Sequence, residues 1–236
     1  MNRVAFITGG SRGIGAALIS RFKDAGFQIA ACARTPIRSP KVDLALSCDV
    51  ADPCQVAQAV ADALSTFGRL DCVINNAGQA GANSMRPEDS DALWHRIIDV
   101  NLHGTYYVSK RALPHLPDRT GRIINIASVL ALKGVPDQTA YCAAKHAVLG
   151  FTRSLAHLTA ARGITVNAIC PGWTRTAMAD GRMQDLSLTR EQLESGVPIG
   201  RMIEPEEVAE LALYLSGPAA AGITGQALTI DGGALA

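Results

Sequence analysis

The sequence predicts an α/β fold, in which helices cover both faces of a doubly wound parallel sheet of about seven strands. Short apolar runs alternate with helix-period patterns along the 236 residues. The runs are continuously apolar, as expected for strands that are buried on both faces. No repeat, linker or low-complexity stretch interrupts the alternation. We therefore expect one domain of Rossmann type over residues 1–236, with right-handed crossovers between the strands.

The predicted elements follow one another along the chain. The strands are Val4–Thr8, Gln28–Ala33, Leu44–Cys48, Cys72–Asn75, Arg122–Ile126, Thr165–Ile169 and Leu228–Ile230. Helical patterns lie between most of them, at about residues 14–25, 53–67, 89–116, 139–161 and 205–215. Asp52 and Pro53 are typical of a helix start, and Gly26 and Gly68 of helix ends. The polar segment Thr174–Gly200 breaks the alternation, and we expect it to form a mobile lid over a site.

Composition and charge argue against several functions. The net charge of +1 supplies no general electrostatic attraction to nucleic acid or to an anionic membrane. No segment has the unbroken apolar length of a membrane span. The six cysteines form no C-x-x-C pair and the five histidines show no metal-ligand spacing. We therefore expect a soluble cytoplasmic protein with reduced thiols and no bound metal, and neither nucleic acid nor a membrane as its partner.

A glycine-rich turn follows the first predicted strand. Residues Thr8–Gly15 read T-G-G-S-R-G-I-G, and a helical pattern begins at once. Glycines let a pyrophosphate approach the backbone, and the start of a helix supplies free N–H groups and a partial positive charge. The G-x-x-x-G-x-G spacing is a variant of the dinucleotide fingerprint, so we predict a dinucleotide site here. A glycine-rich turn without a ligand is the alternative.

The charges near this turn favour NADP over NAD. A site for NAD usually places an acidic residue at the end of the second strand, where it binds the ribose 2′-hydroxyl. Here that strand ends in Cys32-Ala33-Arg34-Thr35, with no carboxylate. Arg34 and Arg12 offer two cations from neighbouring loops, and a guanidinium suits a 2′-phosphate. Two solvated surface arginines, with NAD as the cofactor, remain the alternative.

Polar residues with catalytic potential follow several predicted strands. Tyr141 and Lys145 stand at i and i+4 and share one face of a long helix. We expect the Lys145 ammonium to lower the pKa of the tyrosine, which could then protonate a carbonyl oxygen. Ser128 follows the fifth strand and Asn76 the fourth, and ligands of such sheets bind beyond the carboxyl ends of the strands. A hydroxyl at Ser128 could hydrogen-bond the substrate oxygen.

With these motifs in place, the chain resembles the short-chain dehydrogenase/reductase family over essentially its full length. The matching motifs are Thr8–Gly15, Asp49-Val50, the N-N-A-G of Asn75–Gly78, Asn101, Ser128, the Y-x-x-x-K of Tyr141–Lys145, Pro171-Gly172, and Thr224-Gly225-Gln226 with Asp231-Gly232-Gly233. The subgroup most similar in appearance is the 3-oxoacyl-[acyl-carrier-protein] reductases.

The resemblance implies roles for the matching residues. Tyr141 would be the general acid of a ketone reduction, Ser128 would polarise the carbonyl, Lys145 would bind the nicotinamide ribose, and Asn101 would hold a water that relays protons to Lys145. The residues implied to contact the cofactor are Gly9, Ser11, Arg12, Gly13, Ile14, Gly15, Arg34, Asp49, Val50, Asn76, Ala77, Gly78, Tyr141, Lys145, Pro171, Gly172, Thr174 and Thr176. Hydride passes directly between carbon atoms, so the protein supplies position and a proton.

The chain departs from the family pattern in two places. The stretch Arg34–Asp49 is short and carries Pro36 and Pro40, so we expect no helix between the second and third strands. The glycine that often stands three residues after the catalytic serine is Ala131 here, which could narrow the substrate side. We expect the pocket to be built from Leu130, Val135, Gln138, Trp173 and the segment Thr174–Gly200.

The sequence does not identify the substrate. Arg119 and Arg162 stand where the resembled subgroup docks an acidic carrier protein, so a 3-oxoacyl thioester is one expectation. A free small-molecule ketone or alcohol is a second, because the two arginines could be plain surface residues. A non-catalytic cofactor-binding scaffold is a third, although all four catalytic positions are filled. The resemblance also implies a homotetramer.

Overall fold

The predicted fold class is confirmed by a computed structural model, which describes residues 2–236. Seven parallel strands form one sheet in the order β3-β2-β1-β4-β5-β6-β7. The strands are β1 (Val4–Thr8), β2 (Gln28–Ala33), β3 (Leu44–Ser47), β4 (Cys72–Asn75), β5 (Arg122–Ile126), β6 (Thr165–Pro171) and β7 (Ala227–Ile230). The strand order reverses between β1 and β4. In sheets of this kind, ligands bind in the crevice beyond the carboxyl ends of the strands at such a reversal.

Helices cover both faces of the sheet. They are α1 (Gly13–Asp24), α2 (Pro53–Phe67), α3 (Ala92–Ile98), α4 (Gly104–Ala112), α5 (Thr139–Thr159), α6 (Ala177–Asp185), α7 (Arg190–Ser195) and α8 (Pro205–Ser216). The apolar side chains of the strands alternate between two clusters. Phe6 and Val73 pack on the face covered by α2 and α4, and Ile7 and Ile74 on the face covered by α1 and α8.

Local sequence signals set several of these boundaries. The Asp52 carboxylate accepts hydrogen bonds from two backbone N–H groups at the start of α2, and Gly68 ends that helix with φ of 73°. Gly26 has φ of 84°, as expected just beyond the end of a helix. The predicted absence of a helix between β2 and β3 is also confirmed, because none begins between Ala33 and Leu44.

Other boundaries differ from the prediction. Strand β6 continues to Pro171 because Cys170 and Pro171 pair with β7. Helix α5 ends at Thr159, and a tight 3-10 turn carries the chain to Arg162. The region predicted as helical from residue 89 to 116 contains α3 and α4, with a π-helical turn over Asp99–His103 between them.

The segment Thr174–Gly200 contains two helices, α6 and α7, where no regular pattern was predicted. Ala179, Met183, Leu193 and Val197 are buried together, with Trp173 packed against them. A buried cluster of this kind gives the segment its own packing. Its movement as a lid stays a prediction.

No helix within residues 2–236 combines the length and the apolar character that crossing a membrane requires.

Candidate active site

One large cleft runs along the carboxyl edge of the sheet, with a volume of about 700 Å³. Every residue that the sequence predicted as a cofactor contact lines it. Ser128 lines it as well, whereas Asn101 lies behind the wall. The glycine-rich turn forms one end, and Tyr141, Ser128 and Trp173 lie toward the other. The predicted residues therefore come together in a single site.

The glycine turn brings the backbone close to the cleft. Gly9 has φ of 69°, and a Cβ there would lie 2.8 Å from the Ala77 Cα. A Cβ on Gly15 would lie 2.1 Å from the Gly9 carbonyl oxygen. Gly13 begins α1 with φ of 54°, so the free N–H groups at the start of this helix border the cleft. These features fit the pyrophosphate of a dinucleotide, which binds where no side chain intervenes.

The Asn75–Gly78 motif holds this turn in place. The Thr8 hydroxyl accepts hydrogen bonds from the backbone N–H groups of Asn76 and Ala77, each at 3.0 Å. The Asn76 side-chain amide donates to the carbonyl oxygens of Thr8 and Gly9 at 2.9 and 3.1 Å. The side-chain amide of Asn76 therefore bonds to the backbone of the glycine turn and stabilises its conformation.

Two unpaired cations stand at the adenosine end. Arg12 and Arg34 line the cleft, are exposed, and form no ion pair within residues 2–236. The nearby carboxylate of Asp49 is neutralised by Arg96, at 2.8 Å. The excess positive charge fits a 2′-phosphate better than a 2′-hydroxyl.

Tyr141 and Lys145 lie one turn apart near the start of α5, and both are buried. The Lys145 Nζ donates a hydrogen bond of 2.8 Å to the Ile126 carbonyl oxygen and lies 5.5 Å from the centre of the Tyr141 ring. The Ser128 Oγ accepts from the Leu130 N–H at 3.1 Å, which fixes the serine at the end of β5. The three side chains therefore converge from α5 and β5.

Burial controls the protonation of this pair. It raises the pKa of Tyr141 to about 12, although the neighbouring Ser128 hydroxyl acts in the opposite direction. Burial also lowers the pKa of Lys145 to about 8. The expected lowering of the Tyr141 pKa is therefore not found in the chain alone, because the loss of solvation is the largest cause of the shift and raises the pKa.

Asn101 lies within the π-helical turn. Its Nδ2 donates to the carbonyl oxygens of Gln79 and Ile97, at 2.7 and 2.8 Å. Its Oδ1 is buried and receives no hydrogen bond from residues 2–236. A Cβ placed on Gly78 would lie 3.1 Å from this Oδ1 and 3.7 Å from the Lys145 Nζ. The two polar atoms thus flank the same glycine, an arrangement that suits the expected water between them.

The substrate end contains the expected pocket residues and some that were missed. Leu130, Val135, Gln138 and Trp173 line it, as do several residues of the segment Thr174–Gly200. Lys133 and Arg182 also line it, and Arg182 pairs with Asp137. No local sequence pattern indicates this pair, because 45 residues separate its members.

Ala131 does not narrow the cleft, contrary to expectation. It is 2% exposed and packs with Val148 and Leu149 of α5. Its methyl group therefore contributes to the core beneath the site.

Arg119 and Arg162 lie at the opposite edge of the sheet from the cleft. Arg162 pairs with Asp118 at 2.7 Å and donates to the carbonyl oxygens of Leu113 and Leu116. The Arg119 N–H donates to the Arg162 carbonyl oxygen. Helix α5, whose 21 residues span about 30 Å, separates this end from Tyr141. Arg162 therefore has a structural role whatever else it binds.

Within residues 2–236, no three His, Cys, Asp or Glu side chains group together as metal ligands would.

Comparisons with known proteins place this site in a family. A family model described as enoyl-(acyl carrier protein) reductase matches residues 9–234. The chain belongs to the short-chain dehydrogenase/reductase family of oxidoreductases. A putative ketoacyl reductase of Streptomyces coelicolor is 37% identical, over 98% of this chain and 97% of that protein.

Two further relatives of this short-chain dehydrogenase/reductase are informative. The 3-oxoacyl-[acyl-carrier-protein] reductase FabG of Chlamydia muridarum is 36% identical, over 99% of this chain and 97% of that protein. The crystal structure of a variant actinorhodin polyketide ketoreductase with NADPH superimposes with a TM-score of 0.90 at 35% identity, covering 99% of this chain and 97% of that one. The site thus occurs in a chain that is similar to ketone-reducing enzymes over its whole length.

Proposed function

We propose that the protein reduces a ketone to a secondary alcohol, with NADPH as the cofactor and Tyr141 as the general acid. The observation that carries this proposal is the single cleft. Its glycine turn and two free arginines lie at one end, and Tyr141 and Ser128 lie toward the other. Dinucleotide and carbonyl compound would therefore meet beside the phenol.

The protonation state of Tyr141 suits reduction. With a pKa of about 12, the phenol holds its proton at neutral pH and can give it to a carbonyl oxygen. The Ser128 hydroxyl lies at the end of β5, where it can hydrogen-bond the same oxygen. Lys145 would then stabilise the negative charge that develops on the phenol, and Asn101 would hold the water that returns a proton.

NADPH, when bound, supplies the hydride. The glycine turn and the start of α1 would hold its pyrophosphate, and Arg12 and Arg34 its 2′-phosphate. Lys145 would bind the nicotinamide ribose, and the loop from Pro171 to Thr176 would lie along the nicotinamide. The similarity to a ketoreductase that was solved with NADPH supports this choice over NADH.

A 3-oxoacyl thioester is one candidate substrate, because the relatives include ketoacyl reductases. Docking of a carrier protein at Arg119 and Arg162 could not serve the cleft of the same protomer, since that end of α5 lies about 30 Å from Tyr141. It could serve only the cleft of a neighbouring copy. Carrier docking and the homotetramer are therefore linked proposals, and a free small-molecule ketone requires neither.

The proposal is tested by mixing the purified protein with NADPH and a panel of ketones and following the nicotinamide absorbance. We expect turnover, and we expect Tyr141→Phe to lower kcat by roughly 10²–10⁴-fold while NADPH still binds. The Phe variant removes only the hydroxyl, so binding measured by calorimetry separates lost chemistry from lost folding. Tight NADPH binding by the wild type without reduction of any ketone would favour a non-catalytic role, and full turnover by Tyr141→Phe would exclude this mechanism.

A further inference from the structure

The substrate end of the cleft holds a cation that the proposed reaction does not use. Arg182 lies on α6, and its side chain is 15% exposed. Its Nη2 contacts both carboxylate oxygens of Asp137, at 2.8 and 2.7 Å. Asp137 precedes Tyr141 by four residues, so their Cα atoms are at most about 14 Å apart. Arg182 and Tyr141 line the same cleft.

The Arg182 guanidinium retains donors that no protein group uses. Asp137 engages only Nη2, whereas a guanidinium carries five N–H donors in a fixed plane. Within residues 2–236, Nη1 and Nε have no acceptor, both atoms keep accessible surface, and Arg182 lines the cleft. Because Asp137 fixes one side of the plane, the remaining N–H groups keep a defined direction. Both two-point edges of a guanidinium include Nη2, so Nη1 and Nε can each donate only a single charge-assisted hydrogen bond to an oxygen of an anionic group.

Within residues 2–236 the one carboxylate that contacts Arg182 is that of Asp137, whose charge the guanidinium balances and which does not line the cleft. Val135, Leu186 and Leu188 make this end of the cleft mostly apolar, and Lys133 adds a second cation at its rim. Among the described residues, the acidic lining is confined to Asp49 at the adenosine end, where Arg96 neutralises it. An apolar channel beside a guanidinium suits a molecule with a hydrocarbon body and an anionic end.

We propose that Arg182 selects ketones that carry a carboxylate, which accepts a hydrogen bond from Nη1 or Nε while Asp137 holds the guanidinium in place. The inference rests on the proposed ketone reduction and names the class of substrate for that site. Asp137 acts through Arg182 and is a positioning residue. With its carboxylate at Arg182, a keto acid would pack its hydrocarbon chain against the apolar walls of the cleft and direct its carbonyl group toward Tyr141.

The test compares keto acids with their own methyl esters. Acetoacetate and levulinate are each paired with the ester, and kcat/KM is measured with NADPH. We expect at least one acid to be preferred over its ester by roughly 10-fold or more. Arg182→Gln should lower kcat/KM for that acid by about 10- to 100-fold, mainly through KM, and change the ester by less than about 3-fold.

Two variants control for damage to the lid. Arg175 belongs to the same segment and pairs with Glu194 and Glu204 outside the cleft lining, so Arg175→Gln should keep the preference for the acid. Asp137→Asn weakens the ion pair with Arg182 but leaves the Arg182 charge and one acceptor for Nη2, so it should reduce the preference less than Arg182→Gln does. An equal loss for acid and ester in Arg182→Gln would mean that Arg182 only anchors α6, and would overturn the inference.

The outcomes also separate this inference from the proposed function. Equal use of acids and esters by the wild type would overturn the inference and leave ketone reduction intact. Failure to reduce any ketone would overturn the proposed function. Calorimetry with pentanoate, which has no keto group, would then decide the inference separately: we expect binding by the wild type and weakening of about 10-fold or more in Arg182→Gln. Equal pentanoate affinities would overturn it.

Discussion

Lys145 lowers the stability of the folded protein, because its position in the site buries its charged side chain. Burial lowers its pKa from 10.5 to about 8, so at neutral pH the folded protein holds a charge that the unfolded chain carries more easily. This difference corresponds to about 3 kcal/mol. The residue is retained in a position that disfavours its charge, as happens at functional sites.

Replacement of this lysine should therefore stabilise the fold. Lys145→Met removes the buried charge and also the hydrogen bond to the Ile126 carbonyl oxygen, which contributes about 1 kcal/mol. We expect the free energy of unfolding near neutral pH to rise by about 2 kcal/mol, or Tm by roughly 4–8 °C. Urea unfolding and calorimetry measure the change, and catalysis should be lost in the same variant.

The sign of the pH dependence follows from the two pKa values of Lys145. Between about pH 8 and 10.5 the unfolded chain binds more protons at this residue, so the stability of the wild type rises with pH in that window. The advantage of Lys145→Met should shrink as pH increases through it. Tyr141 acts oppositely only above about pH 10, where the folded protein retains a proton that the unfolded chain loses. An advantage that stays constant from pH 7 to about 10 would contradict this account.

Arg34 tests the choice of cofactor. Arg34→Asp replaces the exposed cation with a carboxylate that repels a 2′-phosphate and can accept from a 2′-hydroxyl. We expect the ratio of kcat/KM for NADPH to that for NADH to fall by about 100-fold or more, from measured initial rates. Arg38→Gln, an exposed arginine outside the cleft lining, is the matched control. An unchanged ratio in Arg34→Asp would show that the 2′-phosphate binds elsewhere.

At the residue scale, sequence patterns predicted which residues form the site better than they predicted the surroundings of each side chain. Tyr141, Lys145 and Ser128 come together as predicted, because strand ends and helical spacing fix where they lie. The raised pKa of Tyr141 was not expected, since it depends on burial in the folded protein that no local pattern reveals. Arg182 and Asp137 meet only through tertiary packing, which also explains why they were missed.

Among the elements, α5 depends on a loop residue for its position. The Asn83 Oδ1 accepts the Ala140 N–H at 3.0 Å, and its Nδ2 donates to the Thr139 hydroxyl at 2.7 Å. The Asn83 N–H also donates to the Asp137 carbonyl oxygen. This residue therefore ties the loop before α3 to the start of the helix that carries Tyr141.

Loss of this anchor should affect both stability and turnover. We expect Asn83→Ala to lower the free energy of unfolding by about 1 kcal/mol, as other lost helix caps do. It should also lower kcat several-fold with little change in the KM for NADPH, because Tyr141 moves while the glycine turn does not. Asn83→Asp keeps the acceptor for Ala140 and should recover most of both losses. Unfolding curves and steady-state kinetics measure them, and an unchanged kcat in Asn83→Ala would contradict the positioning role.

The elements that were predicted well have strong local signals, and the others do not. Continuous apolar runs marked the strands, while the end of β6 depends on pairing with β7. Helix α7 could have been found, because Thr189 and Gln192 form a capping box whose spacing is visible in the sequence. The π-helical turn left no comparable pattern, since one residue more in a turn changes hydrogen bonds rather than composition.

For the whole molecule, the outer face of α4 and α5 presents an apolar groove. It is lined by Tyr106, Leu113, Phe151 and Leu155, and by Leu158, which is 71% exposed. An exposed apolar surface of this kind is typical of a protein interface. We propose it as one contact of the expected homotetramer.

A charge in this groove should reduce the assembly. We expect Leu158→Glu to lower the molar mass measured by light scattering, because it would place a carboxylate in an apolar contact. Met85→Glu, at an exposed position outside the groove, is the matched control and should leave the mass unchanged. A wild-type protein that is already monomeric would refute the tetramer, and an unchanged mass in Leu158→Glu would place the contact elsewhere.

The extra residue between α3 and α4 links the interior of the molecule to its outside. One residue corresponds to about 100° of helical rotation. The insertion at Asp99–His103 therefore determines which side of the helix each residue of α4 occupies. The rotation that places the Asn101 amide behind the cleft also determines the direction of the Tyr106 side chain. Shortening the turn by one residue would therefore disturb both the proposed proton path and the outer apolar face, so neither can change without the other.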